Sequence, residues 1–215
     1  MPRVFIRSQH VRQAIEEIRP IADSDAVLEV GSGAHGLIFG FGTKIRIGID
    51  PLAVDYKRIF PKLQSAAITA AAIGEELPFA DASFDVVLSD NVIDHAERPL
   101  KIIDEIARVL KPGGILYFTV NVHHPIYHLA SLAHGLWNAA GLRVELSAFA
   151  DHTVHLTEAR IRSVIAGQPF RIIKQASNVS ETRYAQRRSS PRNLDALLKK
   201  LFYKNALYTL IAVKD

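Results

Sequence analysis

The sequence predicts an α/β fold built on a mostly parallel sheet, and three observations predict it. Short apolar runs alternate with helical patterns along the chain, which is how βα units read in sequence. The first apolar run ends in a glycine-rich turn, Gly31-Ser32-Gly33-Ala34-His35-Gly36. The second ends in an acid, Asp50.

The elements follow in order. Val11 to Ile21 is expected as a short helix with Val11, Ile15 and Ile18 on one face. Ala26 to Val30 reads as a buried strand and Lys44 to Ile49 as a second, alternating Ile45, Ile47 and Ile49. A helix is expected from Pro51 to about Leu63, since proline is tolerated in a first turn. Ala66 to Ile73 is a third strand whose alanines also suit a helix, and Phe84 to Ser89 is a fourth. Arg98 to Leu110 is amphipathic, with Leu100, Ile103, Ile106, Ala107 and Leu110 inward. Pro112-Gly113-Gly114 stops it, and Ile115 to Val120 is a fifth strand. His124 to Ala140 reads as a helix. Thr157 is expected to cap another running to Ala166. Phe170 to Val179 is a sixth strand, Leu194 to Phe202 a helix and Ala206 to Val213 the last strand. Residues 121–157 hold no clear strand and are expected to form a lid over the sheet within a single domain, 1–215.

Composition sets bounds on function. The 215 residues suit one domain, and 48% hydrophobic with 22% charged residues is ordinary for a globular chain. No window reaches the ~18 to 20 apolar residues of a membrane span. The N-terminus has arginines and glutamates but no apolar stretch, so no secretory signal is expected. The absence of cysteine excludes disulfides, thiolate metal sites and cysteine nucleophiles, and fits a cytoplasmic setting. Net charge is +4 and the pI about 9.4. Arg183, Arg187, Arg188, Arg192, Lys199, Lys200 and Lys204 are opposed in their stretch only by Asp195. They are expected to form a solvated face, because no nucleic-acid-binding signature accompanies them.

The chemistry centres on Val27-Leu28-Glu29-Val30-Gly31-Ser32-Gly33-Ala34-His35-Gly36. Glycines there let a backbone approach a ligand where a Cβ would clash. Asp50 lies 19 residues after Gly31, a spacing at which a carboxylate can accept hydrogen bonds from a ribose diol. The pattern Gly31-x-Gly33-x-x-Gly36 also satisfies the dinucleotide fingerprint. Glu29 separates the two cases. Beside a ligand it would repel a pyrophosphate and attract an ammonium and a sulfonium. Its alternative role is a carboxylate capping local backbone N–H groups.

These residues resemble the class I methyltransferase superfamily, in its type 11 branch. The block at Val27–Gly33 resembles its first motif and Ile47-Gly48-Ile49-Asp50 its second. Gly74-Glu75-Glu76-Leu77-Pro78-Phe79 with Ser83-Phe84-Asp85-Val86-Val87, and Glu105 to Gly114, resemble the segments around its fourth strand and before its fifth. The resemblance covers roughly residues 25–121. It implies a Rossmann-like three-layer sandwich with a seven-stranded, mostly parallel sheet and an antiparallel last strand. It implies S-adenosyl-L-methionine as the cofactor. Glu29, Gly31, Ser32 and Gly33 would line its methionine and ribose portions, and Asp50 would hold the ribose hydroxyls. Pro51 and Leu52 would pack on adenine, Gly74 and Glu75 would sit at the adenine edge, and Asp90 and Asn91 would lie beside the methionine end. Many relatives place an aspartate just ahead of the glycine-glutamate pair to accept the adenine amino group. Ile73 stands there, so that either Glu75 or Glu76 is the substitute or the register of the resemblance differs at this point.

Asp94 and His95 resemble the short polar segment that faces the substrate in relatives, and His95 is the candidate general base. Its alternative is a helix-start residue bonded locally. The nine histidines include His123, His124, His128, His134, His152 and His155 in or near the lid. Spaced i and i+4, His124 and His128 could ligate a metal, but no accompanying motif supports one and no metal is expected. Tyr127, Trp137 and Phe149 are candidates for an aromatic wall or for core. The expected acceptor is a small molecule. The fourth strand ends in Ser89-Asp90-Asn91-Val92, which lacks the element that grips a flipped base, so nucleic acid is not the expected partner. The competing functions are an NAD-dependent oxidoreductase and a non-catalytic S-adenosylmethionine-binding protein. Ile73 and the glycine-broken segment Leu37 to Gly42 favour the second.

Overall fold

A computed structural model describes residues 2–127, 155–191 and 194–215. Helix α1 spans Pro2–Glu16 and strand β1 Ala26–Val30. After β1 comes a single 3-10 turn at Leu37–Gly40, then β2 (Ile45–Ile49), α2 (Ala53–Ile59), α3 (Pro61–Gln64) and β3 (Ile68–Ala70). Strand β4 (Phe84–Asp90) leads through a 3-10 turn at Ile93–His95 to α4 (Pro99–Val109) and β5 (Leu110–Val122). The C-terminal part holds α5 (Glu158–Ala166), β6 (Phe170–Ser177), α6 (Val179–Arg188), α7 (Leu194–Leu201) and β7 (Ala206–Lys214).

The seven strands form one sheet in the order β3-β2-β1-β4-β5-β7-β6. Pairs among the first five are parallel, and β7 runs antiparallel to both β5 and β6. Strand order reverses between β1 and β4, and in such sheets the crevice at the carboxyl ends of these strands is the ligand position.

Each face of the sheet carries its own core. On one face Val11 and Ile15 of α1, Leu37, Ile38 and Phe39 of the turn, and Phe41 pack on Val27, Val86 and Leu88. On the other, Ile102, Ile103 and Ile106 of α4 and Ile161 and Ile165 of α5 pack on Leu28, Val87 and Phe118. Alternation along each strand sends successive side chains to opposite faces. The pairs Val27/Leu28 and Val86/Val87 therefore divide between the two cores.

Several boundaries depart from the sequence expectation. Helix α1 begins at Pro2 and stops at Glu16, well before Ile21, and Ser8, Gln9 and Arg12 dock it on the segment after β1. Ser8 Oγ donates to the Leu37 carbonyl at 2.7 Å, Gln9 Nε2 to Gly40 at 2.8 Å and Arg12 to Phe41 at 2.6 Å. The expected 51–63 helix is two pieces, α2 and α3, broken at Phe60. Helix α6 was not foreseen; it has no buried residue and so no apolar period to read. The cap at Thr157 is present, its side chain accepting from the Arg160 N–H at 3.2 Å. Residues 125–127 are helical, while the rest of the expected 124–140 helix and most of the expected lid lie outside the described residues. No helix among the described residues is long and apolar enough to cross a membrane.

Candidate active site

The glycine turn after β1 is explained residue by residue. Gly31 has φ +72°, and a Cβ there would come within 2.4 Å of Val92 Cγ2. Gly33 has φ +53° and opens onto space. Both conformations favour a residue without Cβ. The turn is fixed to β2, since the Gly31 and Ser32 N–H groups donate to the Ile49 carbonyl at 2.8 and 2.9 Å.

Asp50 closes the loop from the other strand. Its Oδ2 accepts the Gly33 N–H at 3.0 Å and its Oδ1 the Leu52 N–H at 2.9 Å. A carboxylate offers about four acceptor positions. Among the described residues two are used.

Beside this loop lies a cleft of about 700 Å³. Its walls include Gly31, Asp50, Pro51, Leu52, Gly74, Glu75, Asn91 and His95, all named from the sequence. Tyr56, Val92 and Arg98, which the sequence reading did not single out, line it too. So does Ile73, at the position where relatives carry an acid. Gly74 is tight as well as exposed to the cleft: a Cβ would meet Val30 Cγ1 and Ile102 Cδ1 at 3.0 Å. Glu75 is buried and its Oε1 accepts the Arg98 N–H at 3.2 Å. Among the described residues its Oε2 has no hydrogen-bond partner. Asn91 adopts φ +58°, its side chain accepting the Asn121 N–H at 3.1 Å, which ties the end of β4 to β5.

Glu29, Ser32, Gly33 and Asp90 do not line this cleft. For Glu29 the structure assigns the local capping role. The residue is 1% exposed, and its two carboxyl oxygens accept the Leu37 and Ile38 N–H groups at 3.0 and 2.9 Å. Gly36 makes room for it, since a Cβ there would lie 2.3 Å from Glu29 Oε2. Burial pushes the Glu29 pKa up to about 8, against the pull of the two backbone donors. At neutral pH the group is then mostly protonated and is not the fixed negative charge that attraction of a sulfonium requires.

Asp90 points to the α1 face of the sheet. Its Oδ1 accepts from Arg7 Nη2 at 2.6 Å and from the Thr119 hydroxyl at 2.7 Å. Arg7 therefore spans 83 positions of sequence, and no local pattern announces it. Ser32 is buried against β2, its Oγ 2.8 Å from where a Gly48 Cβ would stand.

At the far edge of the cleft, Asp94 is fully buried and His95 is half exposed, with His95 Nε2 3.9 Å from Asp94 Oδ2. Asn121 Nδ2 approaches the same Asp94 oxygen at 3.4 Å. His123 and His155 are both buried with ring centroids 5.0 Å apart. His124 has its pKa lowered by desolvation and by the charge of Arg183. No group of three metal-ligating side chains occurs among the described residues. His128, His134, His152, Trp137 and Phe149 lie outside them.

Comparison with known proteins agrees with this architecture. Residues 28–118 match the family described as a methyltransferase domain, type 11. The chain is 34% identical over 114 residues to an uncharacterised methyltransferase of Mycobacterium sp. strain JLS, covering 51% of this chain and 43% of that protein. It is 36% identical over 103 residues to an uncharacterised protein of Methanocaldococcus jannaschii, covering 48% of each. The chain thus spans less than half the length of these curated relatives. Among solved structures, YcgJ of Bacillus subtilis superposes with a TM-score of 0.65 at 15% identity, covering 96% of this chain and 98% of that one. Geranyl diphosphate C-methyltransferase of Streptomyces coelicolor A3(2) does so with a TM-score of 0.64 at 13% identity, covering 97% and 80%. The segment that carries the glycine turn, Asp50 and β4 thus matches a methyltransferase domain, and the chain shares the fold of these solved structures.

Proposed function

We propose that the protein transfers the methyl group of S-adenosylmethionine to a small-molecule acceptor. The observation that carries this reading is the cleft at the switch point of the sheet, with Asp50 at its rim and the bare backbone of Gly31 in its wall. The residues present fit the donor. Asp50 keeps acceptor positions for the ribose hydroxyls beyond the two it uses on the loop. Leu52, Tyr56 and Ile73 supply apolar wall for the adenine ring, and Glu75, which lines the same cleft, is our candidate acceptor for its amino group where Ile73 stands in place of an acid.

The donor supplies a methyl group already activated on a sulfonium, for in-line displacement by the acceptor. The chain's part is to orient and desolvate. Gly31 and Gly33 let the loop come close, and Asn91, held to β5, fixes the end of β4 beside the cleft. His95, half exposed at the cleft edge, takes a proton where the acceptor keeps one.

The same geometry argues against a dinucleotide. A pyrophosphate site needs free N–H groups at the start of a helix after the glycine turn. Here that turn leads into one 3-10 turn, and its Leu37 and Ile38 N–H groups are already bonded to Glu29.

Calorimetry with S-adenosylhomocysteine and with NADH tests the reading. Binding of the first and not the second is expected, with Asp50→Ala weakening it about tenfold or more, as loss of hydrogen bonds to a charged group implies. Unchanged affinity in Asp50→Ala, or binding of NADH alone, overturns it.

A further inference from the structure

A second cavity, of about 930 Å³, opens next to the donor cleft, and Arg98 lines both. It lies between the first turns of α4 and α5, where Pro99 and Thr157 stand in its wall. Leu100 and Leu156 supply apolar surface. Among the described residues the charged lining is all positive, Arg98, Lys101 and Arg160, with Thr157 and the buried ring of His155 beside them.

Among the described residues none of these three cations forms a salt bridge. Most of the acids nearby in sequence hold contacts of their own. Glu105, which feels the charge of Lys101, is held by Arg108 at 2.8 Å. Glu158, the first residue of α5, gives Oε1 to Arg162 at 2.6 Å and accepts from Ser177 at 2.9 Å through Oε2. Glu75 takes the backbone of Arg98, not its guanidinium. Glu97 faces the donor cleft. The positive ends of two helices add to the same field.

Three like charges gathered on one cavity repel one another, and a bound anion relieves this with charge-assisted hydrogen bonds. We infer that this cavity is the acceptor site and that it selects an acceptor bearing a multiply charged anionic group, held by Arg98, Lys101 and Arg160. The apolar wall at Leu100 and Leu156 takes the rest of the molecule, and Arg98 marks the boundary at which acceptor and donor meet. The inference rests on the proposed methyltransferase reading, because it takes the neighbouring cleft as the donor's.

The test is calorimetric titration of the full chain, saturated with S-adenosylhomocysteine, with inorganic pyrophosphate and separately with malonate. The double variant Lys101→Gln/Arg160→Gln alters neither the donor cleft nor a buried residue. Binding of at least one anion to the parent is expected, with roughly tenfold or greater loss in the variant and unchanged S-adenosylhomocysteine affinity. The tighter of the two anions identifies the group as phosphoryl or carboxylate. No anion binding to the parent, or equal binding to parent and variant, overturns the inference while leaving the donor reading intact. Failure of S-adenosylhomocysteine to bind in the first step overturns the donor reading itself, and with it this one.

Discussion

Replacing Glu29 with glutamine is expected to change how stability depends on pH. The folded chain holds this carboxyl at a pKa of about 8, against 4.5 for an ordinary glutamate. Between those values the folded state binds more protons than the unfolded state, so this group's contribution is greatest below pH 4.5 and is lost as pH rises through about 8. At about 1.4 kcal/mol for each tenfold change in proton affinity, the whole change is worth about 5 kcal/mol. Glutamine does not titrate, so Glu29→Gln removes that slope. It also carries a constant cost, since an amide can accept only one of the Leu37 and Ile38 N–H groups well, and a buried donor left unmet costs about 1 to 3 kcal/mol. Urea unfolding of both proteins at about pH 5.5 and about pH 8.5 measures the difference. The parent's advantage over the variant should shrink markedly at the higher pH. Parallel curves, with the same advantage at both values, would show that Glu29 is not held protonated in the interior.

Other perturbations follow from the same contacts. Gly31→Ala forces φ +72° on alanine and drives its Cβ into Val92, so thermal unfolding should show a loss of about 1 to 3 kcal/mol, with donor affinity falling in calorimetry. Removing the helix cap by Thr157→Ala should cost about 1 kcal/mol in chemical unfolding and leave donor affinity unchanged; no loss would mean the Arg160 N–H finds another acceptor. Glu75→Ala should abolish any preference for S-adenosylhomocysteine over its inosine analogue, which lacks the amino group, whereas a retained preference would place the adenine acceptor elsewhere.

The parts of this fold legible in sequence are those with local causes. β1, α4 and the Thr157-capped helix carry their own periodicity and stop signals, and each lies within a residue or two of its expected place. The Gly31 turn and Asp50 were legible for the same reason, because both sit at strand ends at a fixed spacing. What was not legible depends on contacts distant in sequence. Glu29 was read as facing a ligand, since its residue type and position suit that role. Its true partners are amides of a turn eight and nine residues on, which meet it only once Gly36 clears the space. Asp90 is expected beside the methionine end of the donor, but its place in β4 turns its carboxylate to the α1 face, where it pairs with Arg7. Helix α1 extends toward the N-terminus of its apolar stripe because polar side chains, not apolar ones, dock that end. Arg98, Lys101 and Arg160 are unremarkable one by one, and only the packing of α4 beside α5 gathers them.

A crystal structure of the chain with S-adenosylhomocysteine is the most direct test of the central claim. The nucleoside should lie across Gly31 with its ribose hydroxyls on Asp50 and its ring between Leu52 and Ile73, while Glu29 stays bonded to Leu37 and Ile38. A nucleoside seated away from Asp50, or on the Glu29 carboxyl itself, would contradict it.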